Sequence, residues 1–372
     1  GVSSNSHKAI NNLLKGVEES AAEVGLNFSG VKRSDKDRPE THIAGTFIRD
    51  IFKPKDMDAA AAAGDAQLVA GTVYHFAREP VDQTLDVLFV DEAGKVALAN
   101  MIAMGTAAKN IVLVGDQMQL SQPIQGAHPG QSGLSALDYL LQGAATIPPE
   151  SGIFLDNTWR MNPEVCAFIS DAIYEGKLQA RPENAKQKLE LNDDCHDALQ
   201  PAGIGFVSVE HEGCSQSSEE EAAALADIYR SLLQQHYVDN KGNSHAFTPA
   251  DILVVTPYNA QVNLLKRVLG DVVEGWTGGV SRSDSDLRVG TVDKFQGQEG
   301  QVVLISMVTS GAEDLPRNIE FLFSKNRLNV AISRARCLSL VVASPRLLDI
   351  PCNTVEQMAL VNTLCWGAHG TA

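Results

Sequence analysis

The feature that most constrains this chain is the run Val87-Leu88-Phe89-Val90-Asp91-Glu92-Ala93-Gly94, an apolar strand that delivers two adjacent carboxylates to its own end. Ile111-Val112-Leu113-Val114-Gly115-Asp116-Gln117 repeats the design. A strand apolar at nearly every position is buried on both faces of a parallel sheet, and such sheets place their chemistry outside the carboxyl ends of the strands. Aspartate followed by glutamate suits a division of labour. A hard divalent cation needs an oxygen ligand, while a water under activation needs a separate, oriented base. Short apolar runs ending in Asp-Glu also occur where an ordinary buried strand meets a solvated turn, so the pair acquires meaning only in company.

The 372 residues suit about two domains, each able to bury its own core. Five runs share the form of an apolar strand leading into a polar segment: 86–90, 111–114, 252–255, 302–308 and 338–343. Helical patterns lie between them. Ile10, Leu13, Leu14, Val17, Ala21 and Val24 follow the three-four spacing of an amphipathic helix, and Ser218 with Glu221 forms a capping-box signature. Alternating strands and helices imply an α/β protein with parallel sheets. The stretch from 150 to 205 reads as helix and loop, which places a boundary near Pro149 and gives domains 1–150 and 151–372, with the cleft between them as the expected active site. The charged, alanine-rich residues 29–66 read as an insertion, and residues 236–249 as a surface loop.

No apolar run approaches the roughly 18 residues of a membrane span, and the amino terminus lacks a basic-then-apolar signal pattern. The expectation is a soluble, cytoplasmic protein. Cys166, Cys195, Cys214, Cys337, Cys352 and Cys365 are scattered without Cys-x-x-Cys spacing, as reduced thiols are. Cys195-His196 with His211 and Cys214 fits no standard zinc spacing. The formal charge of -16 lowers the expectation of a nucleic-acid partner, yet a locally basic or amide-lined groove suffices to hold a single strand.

Four further motifs follow in order: Asn157-Thr158-Trp159-Arg160-Met161-Asn162-Pro163; Thr256-Pro257-Tyr258-Asn259-Ala260-Gln261; Val289-Gly290-Thr291-Val292-Asp293-Lys294-Phe295-Gln296-Gly297-Gln298-Glu299; and Arg327-Leu328-Asn329-Val330-Ala331-Ile332-Ser333-Arg334-Ala335-Arg336. With the two acidic strands, this ordered set resembles the superfamily 1 helicases, in the branch of nonsense-mediated-decay and replication helicases. The resemblance covers nearly the whole chain. It implies two RecA-like parallel-sheet domains and a motor that uses ATP and Mg2+ to move along single-stranded DNA or RNA.

By that resemblance Asp91 holds magnesium and Glu92 orients and deprotonates the attacking water, since phosphoryl transfer is mostly positioning and charge stabilisation. Gln117 senses the terminal phosphate. Arg160 and Arg334 are arginine fingers, planar donors suited to phosphate oxygens. Trp159 offers adenine a flat face where relatives carry tyrosine, and Glu299 accepts from a ribose hydroxyl, with Gly297 permitting the tight approach before it. The nucleic-acid track is expected at Ser4, Asn5, His7, Gly71 and Thr72 in the first domain and at Thr256, Tyr258, Gln261 and Thr291 in the second. Small polar side chains suit phosphate contact without sequence readout. Taken singly, each is more often a helix cap or a turn residue.

One expected element is missing. No glycine-rich loop ends in Gly-Lys-Thr or Gly-Lys-Ser; Gly94-Lys95 is followed by Val96, and Gly176-Lys177 by Leu178. In the family that loop, which cradles the outer phosphates, lies just before the motif that opens this chain. The chain is therefore expected to be a fragment whose first domain lacks its phosphate loop and a central first strand, leaving sheet edges exposed. The parent is expected to be an ATP-dependent helicase, and the fragment to hydrolyse ATP poorly. The alternative is a non-catalytic nucleic-acid-binding or scaffolding module with a helicase fold. The resemblance further implies 5' to 3' movement, allows an upstream RecB-like nuclease domain, and makes DNA repair one setting for the parent.

Overall fold

A computed structural model describes residues 1–120, 126, 128–276, 287–295 and 297–369. The chain divides into two units, Gly1–Ala144 and Ala145–Ala372, ahead of the Pro149 boundary expected from the sequence. Among the described residues no helix is long and apolar enough to cross a membrane.

The first unit runs β1 (Val2–Ser4), α1 (His7–Glu23), β2 (Gly30–Arg33), β3 (Ile48–Ile51), α2 (Pro54–Ala62), β4 (Leu68–Thr72), α3 (Val73–Phe76), β5 (Leu85–Val90), α4 (Leu98–Gly105), β6 (Ala108–Leu113) and α5 (Ala136–Leu141). Its six strands form one parallel sheet in the order β3-β2-β4-β1-β5-β6. Residues 29–66, expected as an insertion, instead supply β2, β3 and α2. Val31, Ile48, Ile51 and Met57 are buried, so apolar positions hidden among charges govern the fold here. Lys32, fully buried in β2, donates to Ser34 Oγ at 2.8 Å and to the Thr41 carbonyl. Burial lowers its pKa to about 8.

The two faces of this sheet are covered unequally. Leu88 and Val90 pack with Val31, Val69, Met101 and Met104 in a closed core. On the other face α1 lays Ile10 and Leu14 over Val2, Ile48 and Ala70. Register carries that face on from Val2 to Phe89 and from Phe89 to Val112, and there the cover ends: Phe89 is 45% exposed and Val112 39%. The strands do not part around a gap. The gap expected at the centre of the sheet is absent; exposed apolar residues lie at its β6 margin, where Ile111 and Val114 are exposed as well.

The second unit runs β7 (Asn157–Thr158), α6 (Pro163–Ile173), β8 (Gln179–Ala180), β9 (Lys188–Glu190), β10 (Gly203–Ser208), α7 (Glu219–Leu232), β11 (His236–Val238), β12 (Ser244–Ala246), β13 (Ile252–Val255), α8 (Asn259–Gly275), β14 (Val289–Gly290), β15 (Gly300–Ser306), α9 (Ile319–Leu322), α10 (Lys325–Ile332), β16 (Ala335–Ala343) and α11 (Val355–His369). Its main sheet is parallel, in the order β10-β16-β15-β13-β14. Leu225, Ile228 and Leu232 of α7 and Leu265 and Leu269 of α8 pack on Val254, Val302, Leu304, Leu338 and Leu340. Two doubly wound parallel sheets are the expected RecA-like arrangement. Residues 236–249 fold as the β11–β12 hairpin rather than as an open loop; its turn is held by Asp239, which accepts from the Lys241 and Asn243 amides.

Candidate functional site

The acidic pair stands where the sequence placed it, at the carboxyl end of β5. Asp91 takes its position through its amide, which donates to the Ser3 carbonyl at 2.9 Å. Burial raises the pKa of its half-buried carboxyl, with the charge of Glu92 adding to the effect and a backbone hydrogen bond and Lys95 opposing it. Glu92 sits at φ 55°, in the left-handed region, an uncommon place for a residue with a side chain and one that recurs at functional turns. Its carboxylate pairs with Lys95. The loops after β5 and β6 lock together through two glycines. A Cβ on Gly94 would meet the Asp116 carbonyl oxygen at 2.6 Å, and one on Gly115 would meet the Ala93 amide nitrogen at 2.7 Å. This brings Asp116 and Gln117 to the acidic loop. Gln117 donates to the Ala144 carbonyl at 2.9 Å, and Asp116 caps the turn after it.

The residues expected to contact a strand in the first domain converge as well. Ser4 and Thr72 are paired in register at the carboxyl ends of β1 and β4, with Gly71 opposite Ser3. Ser3 and Ser4 are buried, and neither hydroxyl has a hydrogen-bond partner among the described residues. Asn5 reaches the Lys95 carbonyl at 2.5 Å, which ties this loop to the acidic one. His7 opens α1 with its ring 3.3 Å from Lys32 Nζ. Burial lowers its pKa, and Lys32, Arg38 and Arg33 lower it further against Asp35, so His7 marks a locally positive corner of an acidic chain.

In the second unit the candidate residues divide between the two ends of the sheet. Thr291 follows β14 at its carboxyl end, whereas Glu299 immediately precedes β15 and so lies at the amino end; the motif between them spans the depth of the sheet. Glu299 is a shared acceptor. Arg160 Nε donates to its Oε2 at 2.9 Å, and Arg336 pairs with its Oε1. Burial works against its charge, but the Arg336 and Arg160 guanidiniums outweigh it and hold the carboxyl below its ordinary range. Arg160 also donates to the Ser333 carbonyl at 2.9 Å. Arg334 is buried and reaches the Gln298 carbonyl at 3.4 Å. Gly297 takes the left-handed φ of 75° that turns the chain ahead of Glu299, and Gln296 lies outside the described residues. Trp159 is 75% exposed, and the Arg181 guanidinium lies 3.6 Å from its ring centroid.

At the carboxyl end the second-domain contacts differ from expectation. Thr256, Tyr258 and Gln261 are all buried. Gln261 serves the interior: it accepts from the Ser218 amide at 2.9 Å and donates to the Ser218 carbonyl and Ser306 Oγ at 3.1 Å each. The Tyr258 ring stacks on Phe321. The segments that carry Ser218 and Phe321 cover these strand ends, a long-range packing that motif spacing does not reveal. Thr291, half-buried, follows Gly290, whose carbonyl receives the Thr256 amide at 3.2 Å.

Family models described as AAA domain match residues 4–124 and 134–346. The chain belongs to this family, among the superfamily 1 helicases. It is 25% identical over 334 residues to the DNA polymerase alpha-associated DNA helicase A of Schizosaccharomyces pombe, an alignment covering 87% of this chain and 47% of that protein. It is 27% identical over 253 residues to the Regulator of nonsense transcripts 1 homolog of Drosophila melanogaster, covering 67% and 20%. The chain thus spans less than half the length of these curated relatives. A solved arterivirus nonstructural protein 10 helicase with DNA superposes with a TM-score of 0.45 at 13% identity, covering 92% of this chain and 53% of that one.

Within this superfamily 1 chain the structure adds residues that motif reading left unassigned. Arg336 shares Glu299, Lys95 pairs with Glu92 and Arg181 lies over Trp159; Arg336 and Lys95 stand inside or beside quoted motifs, while Arg181 carries no sequence signal. The Ser218–Glu221 capping box is half formed. Ser218 Oγ accepts from the Glu221 amide at 3.0 Å, but the Glu221 carboxylate turns inward, fully buried, to His211 at 3.0 Å, Ser306 Oγ at 2.5 Å and the Val308 amide at 3.0 Å. His211 therefore belongs to this network, and among the described residues no cluster of three or more His, Cys, Asp or Glu could hold a metal.

Proposed function

We propose that the protein carrying this chain is an ATP-dependent translocase on single-stranded nucleic acid, with DNA as its first substrate. The observation that carries the reading is the loop cluster of the first unit: Asp91-Glu92 and Asp116-Gln117 leave adjacent parallel strands and are held together by the Gly94 and Gly115 contacts. Mg2+ fits this site. Asp91 supplies one partly desolvated carboxylate and no protein cage surrounds it among the described residues, as suits an ion that keeps its waters and binds through one or two carboxylates plus phosphates. When bound, Mg2+ neutralises charge on phosphate oxygens.

The chain's own residues do the rest. Glu92 orients the attacking water and takes its proton, Gln117 contacts the terminal phosphate, and Arg160 and Arg334 neutralise phosphate charge as planar donors. Trp159 stacks on adenine beside Arg181, and Glu299 meets the ribose. Ser4, Asn5, His7, Gly71, Thr72 and Thr291 contact the strand, while Thr256, Tyr258 and Gln261 shape the wall behind it. The bare β6 margin supports a phosphate-binding loop contributed by a further strand and helix, so this chain alone turns ATP over poorly. A phosphate-release assay with single-stranded DNA tests both parts. In the parent protein Glu92→Gln should abolish turnover and spare DNA binding; retained turnover would refute the assignment. Brisk Glu92-dependent turnover by residues 1–372 alone would refute the dependence on a further element.

A further inference from the structure

Phe321, half-buried in α9, is flanked by two guanidiniums: Arg317 and Arg327 each lie 4.3 Å from its ring centroid. Tyr258 stacks on the same ring, with centroids 5.9 Å apart and planes 28° from parallel. Two like charges on one ring in a chain of net charge -16 repel each other unless an anion lies between them. Two nearby carboxylates have other partners, while Asp314 Oδ2 is buried with no hydrogen-bond partner among the described residues. Glu313 pairs with Arg346 and Glu320 accepts from Gln357. Arg327 has Asp293 at 3.5 Å, and Arg317, exposed, forms no ion pair among the described residues.

Position distinguishes this pair from the arginines around Glu299. A helix that connects two parallel strands returns from the carboxyl end of the first to the amino end of the second, so α10, between β15 and β16, begins at the carboxyl end. Arg327 lies in its first turn. Arg334 and Arg336 follow its last turn at the opposite end of the sheet. Arg317 and Arg327 thus share the edge of Thr256, Thr291 and Thr309, away from the Glu299 cluster.

We infer that Arg317 and Arg327, mounted on Phe321, clamp a backbone phosphate of single-stranded nucleic acid. This rests on the strand-binding reading above, adds Arg317 and Phe321, which its motifs do not contain, and gives a role to Arg327 at the start of the last motif. A guanidinium stacked on a ring keeps its N–H edge outward, where a phosphate accepts it in bidentate fashion. With Tyr258 and two guanidiniums around it, Phe321 is a mount for charge rather than a platform for a base, so the contact reads no sequence.

Anisotropy of a fluorescein-labelled oligothymidylate titrated with the full chain at several salt concentrations tests this. Arg317→Ala should weaken binding roughly 5-fold and reduce the slope of log affinity against log salt by about 0.7, the loss of one single-strand phosphate contact. Arg317→Lys, which keeps the charge, should restore the slope. Arg230→Ala, on the surface of α7, should change neither. An abasic strand of equal length should compete through this contact as well as thymidylate does. Binding by the unaltered chain that Arg317→Ala leaves unchanged in midpoint and slope would overturn this assignment alone. Competition by inorganic phosphate at matched ionic strength, without competition by the abasic strand, would make this a free-anion site and overturn it too. Failure of the unaltered chain to bind any single strand would remove the broader reading together with this one.

Discussion

Arg160 and Glu299 lie 139 positions apart in the chain, yet Arg160 Nε meets Glu299 Oε2 at 2.9 Å, and Arg336 takes the other oxygen. Glu299 therefore fixes two guanidiniums with one partly exposed carboxylate. Ion pairs at such exposure are worth at most about 1 kcal/mol, so the arrangement is cheap to break and serves position more than stability.

Glu299→Gln should accordingly lower the thermal midpoint by only a few degrees, as a loss of about 1 kcal/mol implies. It should reduce ATP turnover by the parent protein on the order of 10-fold or more through misplaced arginines. Steady-state kinetics beside a melting curve check this. A large drop in stability with unchanged turnover would assign Glu299 to the fold alone.

His75 gives the first unit a defined acid sensitivity. It is buried against Phe76, and burial, with Arg78 adding, lowers its pKa to about 4 from the ordinary 6.5. Between those values the unfolded chain binds the proton and the folded chain does not. Stability therefore rises as the pH is raised from about 4 to 6.5, by up to about 3 kcal/mol for this group. Protection factors for amide exchange at β4 and α3, corrected for the intrinsic pH dependence, should rise across that window, and His75→Phe should flatten the dependence. A slope that persists in the variant would point to other groups.

Glu221 stands at the centre of a buried polar network in the second unit. Glu221→Gln keeps the shape but puts an amide N–H against the Val308 amide or the Ser306 hydroxyl, which now meet a carboxylate. A loss of about 2–4 kcal/mol is expected in urea unfolding, the usual result of breaking a buried charged network on one side. A loss under about 0.5 kcal/mol, the ordinary scatter of surface changes, would mean that the network is optional.

The β6 margin predicts behaviour that depends on how much of the protein is present. Unpaired apolar edges recruit other chains, so residues 1–372 should self-associate with rising concentration in light scattering. Val112→Lys should suppress this without lowering the melting temperature. In a longer protein whose proposed further strand and helix covered this margin, the same substitution should destabilise instead. Equal behaviour of the two proteins would argue that nothing covers β6.

Much of the architecture was legible wherever one segment carried the whole signal. The apolar strands ending at Val90, Val255 and Ala343 announced themselves, and so did the helix from His7 with its three-four spacing. β2 and β3 escaped because Lys32, Arg33, Arg49 and Asp50 hide the buried Val31 and Ile51, and a short strand contributes few residues to any pattern. For the candidate site, the motifs pointed to Asp91, Glu92, Arg160 and Glu299, and the structure sets Asp91 beside Glu92 and Arg160 on Glu299. They gave no hint that Gln261 spends both ends of its amide on Ser218, or that Arg181 lies over Trp159, because those facts arise from segments tens of residues away. Glu221 misled for a related reason: Ser-x-x-Glu is a local rule, and a buried histidine with a free backbone amide nearby outbid it.

α10 is two turns long, a rod of about 12 Å, with Arg327 in its first turn and Arg334 just past its last. A rod so short does not bend. If the proposed strand contact at Arg327 and the proposed nucleotide contact at Arg334 both hold, one stiff element joins them, and coupling between the two needs no relay of intermediate side chains.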